Sequence, residues 1–259
     1  MRTKTTIISA VALAAGLLSA SAQVYSANVV GYYNIVTPLG SAGSTKKNLI
    51  SNQLLGGQGR TNGISDILVA GLGDAHSQLV NLLLWNGSGF TTYTYYGPTD
   101  AGNATGLYAD GLGNPVNVPL PQAVGGFIEN GSGRAITNTI VGEVVQGPFT
   151  NTITSGLAPH AIVVPVSTNL LASFVRLAFG DSLSQQVNYL HYNVAAQAFD
   201  GALTYYGPTD AGNATGAWAD GLGTDQTFNP AFYPVVGAGF FIDRGPNAPY
   251  QWVSSFTVQ

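Results

Sequence analysis

Charged residues are scarce in this 259-residue sequence. Lys and Arg number 8 and Asp and Glu number 12, so 8% of the residues are charged, against about 25% in an average soluble domain. The net charge of −4 and the lack of any basic tract argue against nucleic acid as a partner, because phosphate binding requires clustered Lys and Arg. Hydrophobic residues make up 45%, which rules out a disordered polyelectrolyte.

Cysteine is absent altogether. Its absence excludes a disulfide scaffold, thiolate zinc sites and cysteine catalysis. Glycine and proline are plentiful, at 34 and 13 residues, and indicate a chain with many turns.

The first 22 residues have the pattern of a secretory signal peptide. Arg2 and Lys4 precede a short apolar core at residues 7–18, and Ala20-Ser21-Ala22 matches a cleavage site. No later segment reaches the roughly 20 apolar residues of a spanning helix. We therefore expect a secreted, periplasmic or cell-surface protein with no membrane span after cleavage. Removal of two of the 8 basic residues leaves 6 against 12 acidic ones, a net charge of −6.

One segment of the sequence occurs twice. Residues 94–113 read TYYGPTDAGNATGLYADGLG, and residues 204–223 repeat them at 18 of 20 positions. Weaker matches extend outward, among them the dipeptides Val30-Gly31 and Val141-Gly142. We predict a first repeat domain at residues 23–138 and a second at residues 139–259, each of about 110 residues, within the usual size range of a domain.

Most of the local patterns predict strands. An Asn-Gly turn at residues 86–89 predicts a hairpin of residues 80–85 with 90–96. Residues 187–192 and 202–206 predict the same hairpin in the second repeat, and the NGSG string at residues 130–133 predicts another between 127–129 and 135–137. The apolar stretch 170–179 suits a short helix, with a weaker counterpart at 65–72. We expect an all-β fold of two tandem sandwich- or barrel-like repeats, each with one short helix.

Several short motifs carry a resemblance. VYSANVVGYYNIV follows the signal peptide, and NLISNQLL, the Asn-Gly hairpin, Gly-Ala-Gly-Phe-Phe-Ile and a terminal Phe-Thr-Val come later. With these motifs the chain resembles secreted two-repeat proteins of unknown function found in Verrucomicrobia and their relatives. The resemblance implies export and tandem β-repeats. It implies no catalytic residue and no ligand.

The duplicated segment is the main candidate site. Its acidic and amide side chains lie among glycines, where oxygen ligands could surround a hard cation such as Ca²⁺. The spacing differs from that of an EF-hand loop, and Asp and Asn also form ordinary turns by bonding nearby backbone N–H groups. Both interpretations stay open for Asp100, Asn103, Asp110, Asp210, Asn213 and Asp220. No cofactor is required by the sequence.

Aromatic residues flank the same segment in both copies. Exposed rings can stack on sugar faces while neighbouring polar groups bond hydroxyls, although Tyr and Trp in strands also serve as core. A glycan-binding surface is therefore a hypothesis for Tyr95, Tyr96, Tyr108, Tyr205, Tyr206 and Trp218.

Residues 180–183 spell GDSL, the signature of an esterase family. Its nucleophile would be Ser182, but no Asp-x-x-His follows near the C-terminus, and the aligned tetrapeptide from Gly73 has Ala75 at that place. We interpret the string as a turn and assign no catalytic residue.

Two functions remain. The first is a non-enzymatic secreted or envelope module, structural or adhesive, which binds extracellular polysaccharide or envelope proteins. The alternative is a secreted hydrolase acting on polysaccharide or ester.

Overall fold

The computed structural model describes residues 29–56, 63–172, 176–247 and 249–257. The predicted signal peptide at residues 1–22 lies outside the described residues. The fold is all-β, as predicted. None of the helices in the described ranges has the length and apolarity needed to cross a membrane.

The strands are β1 Val30–Thr37, β2 Lys46–Ser51, β3 Leu54–Leu55, β4 Val80–Trp85, β5 Phe90–Tyr96, β6 Leu107–Ala109, β7 Pro115–Val116, β8 Gly125–Asn130, β9 Ile136–Val144, β10 Gly147–Ile153, β11 Leu157–His160, β12 Asn188–Asn193, β13 Ala198–Phe199, β14 Leu203–Tyr206, β15 Ala217–Ala219, β16 Phe240–Asp243 and β17 Tyr250–Phe256. The helices of the described residues are α1 Ile64–Ile67, α2 Pro98–Ala101 and α3 Pro208–Ala211.

Two larger sheets dominate the architecture. One has the strand order β2-β8-β4-β5-β6-β7, and the other has the order β11-β16-β12-β14-β15, with β13 attached to β12. Two smaller sheets, β1-β9-β3 and β10-β17, complete the fold. The duplicated segment runs from β5 through α2 to β6 in one large sheet. It runs from β14 through α3 to β15 in the other.

The Asn-Gly hairpin is confirmed. β4 and β5 have the predicted bounds and pair in antiparallel fashion, from Asn81 opposite Thr94 to Trp85 opposite Phe90. Its counterpart is also confirmed, since β12 pairs with β14.

The hairpin predicted around residues 130–133 is wrong. β8 and β9 do lie on either side of that turn, but they belong to different sheets. β8 pairs with β2 and β4, whereas β9 pairs with β1 and β3. The turn therefore carries the chain between two sheets, which local sequence cannot distinguish from a hairpin.

The helix predicted at residues 170–179 is also wrong, because residues 170–172 and 176–179 form no helix. Leu177 N donates to Leu170 O at 3.0 Å, so the chain folds back on itself. Arg176 has a φ of 49°, a left-handed conformation incompatible with a continuing α-helix. Leu170 and Leu177 are buried all the same, which explains their apolar pattern.

The predicted domain boundary between residues 138 and 139 falls inside β9. Both partners of β9, the strands β1 and β3, lie in the first half of the chain. The sequence match of Val30-Gly31 with Val141-Gly142 corresponds to a cross-strand contact, since Gly31 lies opposite Gly142 in the β1–β9 pair.

The buried side chains form three clusters. The first lies in the first half of the chain and contains Ile50, Leu82 and Tyr95, and the second contains Tyr189, Tyr205 and Trp218. A third, smaller cluster joins residues of both halves and consists of Leu49, Phe127, Tyr192 and Phe241. The two large sheets thus meet through apolar and aromatic contacts.

Candidate functional site

Each duplicated loop begins with a short helix that has a proline in its first turn and a glycine at its end. Pro98 and Pro208 occupy the first turn of α2 and α3, where the missing N–H has no cost. Gly102 and Gly212 end the helices at φ of 64° and 65°, which glycine adopts without the penalty of a Cβ. The two loops therefore have the same backbone design.

An aspartate from a preceding turn fixes each loop. Asp74 accepts from Thr99 N and from Thr99 Oγ1, both at 2.8 Å. Asp181 accepts from the N and Oγ1 of Thr209 at 2.7 and 2.9 Å. The shared Gly-Asp of the GDSL string is thus a structural anchor. It ties a short 3-10 turn to the helix of the duplicated loop.

Asp100 and Asp210 accept hydrogen bonds from that same turn. Ser77 Oγ donates to Asp100 Oδ2 at 2.5 Å and Gln78 Nε2 donates to it at 3.3 Å. The distances to Asp210 are the same, with Ser184 and Gln185 as donors. Both carboxylates face protein donors at the surface.

The other four predicted metal ligands bond nearby backbone. Asn103 Oδ1 accepts from Thr105 N and Gly106 N at 2.9 and 2.5 Å. Asp110 Oδ1 accepts from Leu112 N and Asn114 N, both at 2.9 Å. In the second loop, Asn213 accepts two backbone bonds at 2.8 and 2.6 Å, and Asp220 accepts two at 3.0 Å. These distances agree with those of the first loop within 0.1 Å. These four side chains therefore act as turn caps, whereas Asp100 and Asp210 join their loops to the side chains of the preceding turn.

Hydrogen bonding also sets the protonation of these carboxylates. Donors from Ser77 and Gln78 lower the pKa of Asp100, and donors from Asn114 lower the pKa of Asp110. The pKa values of Asp210 and Asp220 are lowered for the same reason. A glycosidase acid needs a raised pKa to hold its proton, so the direction is unsuited to acid catalysis. Among the described residues, no group of three or more His, Asp or Glu could hold a metal ion.

Four of the six predicted aromatic ligands are core residues, which corrects the expectation that they contact sugar. Tyr95, Tyr108, Tyr205 and Trp218 are fully buried. Tyr95 packs edge-on against Tyr108 at 5.8 Å between ring centroids, and Tyr205 packs against Trp218 at 5.4 Å. Tyr96 and Tyr206 are half-buried, so of the six predicted rings only these two keep accessible surface beside the loops.

Ser182 of the GDSL string lies exposed in a 3-10 turn. The last histidine of the chain, His191, bonds elsewhere: its Nδ1 lies 2.8 Å from Asp200 Oδ2. This arrangement agrees with the interpretation of GDSL as a turn.

This His191–Asp200 pair is not among the residues that the sequence patterns single out. Asp200 lies in the connection between β12 and β14, residues 194–202, which is longer than its counterpart at 86–89. Asp200 also accepts from Asn193 Nδ2 at 3.1 Å, so two bonds fix its carboxylate. The signal for it in the sequence is the difference in length between the two connections, 194–202 and 86–89.

His191 lines a cavity of about 330 Å³ between the two halves of the chain. β1 and β2 contribute Asn34 and Asn48 to its lining, and β12 contributes His191 and Asn193. Residues 235–238 close one side. We call this space the seam cavity.

A second missed feature is a pair of exposed leucines. Leu112 and Leu222 occupy the same place in the two duplicated segments and are 88% and 93% exposed. Each follows a capping aspartate that accepts its N–H. The turns hold these side chains in solvent without using them for packing.

Comparison of the chain with protein-family models, curated proteins and solved structures found no match.

Proposed function

We propose that this protein is a non-enzymatic structural or adhesive module, exported to the cell envelope or the extracellular space, with polysaccharide as its partner. The support for export is the signal-peptide pattern of residues 1–22. The support for a non-enzymatic role comes from the duplicated loops.

The observation that carries the proposal is the matched hydrogen-bond network of the two loops. The capping distances of Asp100, Asn103 and Asp110 recur at Asp210, Asn213 and Asp220 within 0.1 Å. Each of these side chains bonds a group of its own loop or of the turn packed against it. None of the carboxylates has the raised pKa of a general acid. Such loops are rigid surface elements, suited to contact and not to turnover.

The experiment combines a binding assay with an activity assay. Purified protein is sedimented with insoluble cellulose, chitin and xylan, and is incubated with chromogenic glycosides and short-chain esters. We expect co-sedimentation with at least one polysaccharide and no turnover of any chromogenic substrate. Turnover that Asp100→Asn or Ser182→Ala abolishes would contradict the proposal and favour a secreted hydrolase.

Variants locate the contact surface. Tyr96→Ala with Tyr206→Ala removes the two accessible rings beside the loops, and Tyr32→Ala removes an equally aromatic, exposed ring on β1 as a control. If the loops contact polysaccharide through these rings, only the first variant should lose co-sedimentation. Equal loss in both would refute a contact through the loops.

A further inference from the structure

The two halves of the chain differ in the length of one strand connection, and the longer connection lies beside the seam cavity. Gln197, in the long connection between β12 and β14, reaches across to β2. Its Oε1 accepts from Lys47 N at 2.6 Å and its Nε2 donates to Lys47 O at 3.0 Å. β2 is an edge strand of its sheet, so the Gln197 amide bonds Lys47 as a neighbouring strand would.

The same residue has an uncommon backbone conformation. Gln197 has a φ of 56°, and a non-glycine residue keeps such a conformation only where its surroundings enforce it. Val194 of the same connection lines the cavity, and the Gln197 amide also donates to Val194 O at 2.5 Å. The connection is therefore fixed over the cavity by bonds to both halves of the chain.

The polar groups of the cavity are oriented by further bonds. A carboxylate only accepts, so Asp200 takes a hydrogen from His191 Nδ1. In the neutral imidazole this leaves Nε2 as an acceptor. In the first half of the chain, Thr139 Oγ1 donates to Asn34 Oδ1 at 2.7 Å, and Asn48 Nδ2 donates to Val36 O at 2.9 Å. Bonds to neighbouring residues thus hold the polar side chains of the lining in fixed orientations.

The size and charge of the lining restrict the ligand. A volume of about 330 Å³ lies at the small end of ligand sites, about 300–1,000 Å³. The lining has amide and imidazole groups beside Leu49, Val194 and Val235, and it includes no Lys or Arg. An anionic ligand would therefore lack a counter-charge, while Asp200 already bonds His191 and Asn193.

We infer that the seam cavity is a binding site for one unit of a neutral saccharide. Its hydroxyl groups bond His191 Nε2 and the amides of Asn34 and Asn48, and its apolar ring face lies on the valine and leucine side chains. This inference deepens the proposed function by placing the saccharide site between the halves of the chain, and it rests on that function for the choice of ligand class.

The test is a titration followed by nuclear magnetic resonance. Methyl glycosides of glucose, galactose, mannose, xylose and N-acetylglucosamine are added separately, and the ring signals of the three histidines are recorded. We expect at least one neutral glycoside to shift the His191 signals in a saturable manner. His160, which is buried outside the cavity lining, should not respond.

Two variants and one control test which residues bind the glycoside. His191→Phe and Asn34→Ala should each weaken binding about tenfold, the effect of about one hydrogen bond. For the His191→Phe variant, binding is followed by the saturation-transfer signal of the glycoside. Gln251→Ala is the matched control, because Gln251 is likewise an exposed amide bonded to a cross-strand threonine, but it lies outside the cavity. Its affinity should stay unchanged.

Several results would overturn the inference. One is the absence of a saturable shift of His191 with any neutral glycoside. Another is equal weakening by Gln251→Ala, and a third is tighter binding of the methyl glycoside of glucuronate. Polysaccharide binding that survives His191→Phe but is lost in the Tyr96 and Tyr206 variant would refute the seam site and leave the proposed function standing. Substrate turnover would refute the proposed function instead.

Discussion

Replacement of His160 by Leu should abolish a large pH dependence of folding. His160 ends β11 and is only 4% exposed. No described residue bonds its Nε2. Burial therefore lowers the pKa of His160 from 6.5 to about 4, because the charged imidazole cannot be solvated. Ile50 has the corresponding place in the first large sheet: it pairs with Gly126 as His160 pairs with Phe240.

The magnitude follows from the lowered pKa. A fall from 6.5 to about 4 corresponds to about 3 kcal/mol between the two protonation states. The unfolded chain takes up the proton first as the pH falls, so the stability is fully present above pH 6.5 and is lost between 6.5 and about 4. About 2.5 kcal/mol of that loss should be reached by about pH 4.5.

The assay is urea unfolding of the protein and of His160→Leu at about pH 7.5 and about pH 4.5. The free energy of unfolding should fall by about 2.5 kcal/mol more in the native protein than in the variant. His76, whose pKa is also lowered by burial, is present in both and cancels in the difference. An equal fall in the two proteins would refute the buried, neutral state of His160.

Three further changes have defined outcomes. Tyr108→Phe should leave stability unchanged or raise it by about 1 kcal/mol in thermal unfolding, because no described residue bonds the buried Tyr108 hydroxyl; a loss above about 2 kcal/mol would show that the hydroxyl has a partner. Gly97→Ala should destabilise by about 2 kcal/mol or more, since its Cβ would lie 2.6 Å from Asp74 Oδ1 and 2.7 Å from Asp74 Cα; an unchanged melting temperature would contradict the close packing. Asp100→Ala should reduce the loss of unfolding free energy below about pH 4, because a lowered native pKa gives stability that is present above the unfolded value of 3.8 and lost on acidification. The same slope of unfolding free energy against pH in both proteins would count against the bonds of Asp100.

Local signals predicted the fold well where partners are close in sequence. The β4–β5 hairpin has its predicted bounds because the Asn-Gly turn and the flanking β-formers act within a few residues. The turn at residues 130–133 has the same letters but joins different sheets. The pairing of β9 with the distant strand β1 determines that this turn joins two sheets. The sequence around the turn does not encode that pairing.

Burial explains why the candidate site was only partly predicted. Alternation along β5 identifies which residues share a face, but it does not say that the face of Tyr95 is the core and not a ligand surface. Asp110 accepts from residues two and four positions further along the chain, a local pattern that sequence reasoning includes. The donors to Asp100, Ser77 and Gln78, come from a segment about twenty residues away. The connection beside the seam cavity is held by bonds between Lys47 and Gln197, which are 150 residues apart in the sequence. Short-range patterns do not contain such contacts.

The most direct test of the account is calorimetry of the protein, of Asp100→Ala with Asp210→Ala, and of the control Leu112→Ala with Leu222→Ala, each with calcium chloride and with EDTA. If the loop carboxylates hold turns, the aspartate variant should melt at a lower temperature than the native protein. The leucine control should melt within about a degree of it, since exposed side chains contribute little to stability. Calcium and EDTA should change none of the three melting temperatures. A native melting temperature that calcium raises and EDTA lowers, with the effect lost only in the aspartate variant, would contradict the account and identify the duplicated loops as cation sites.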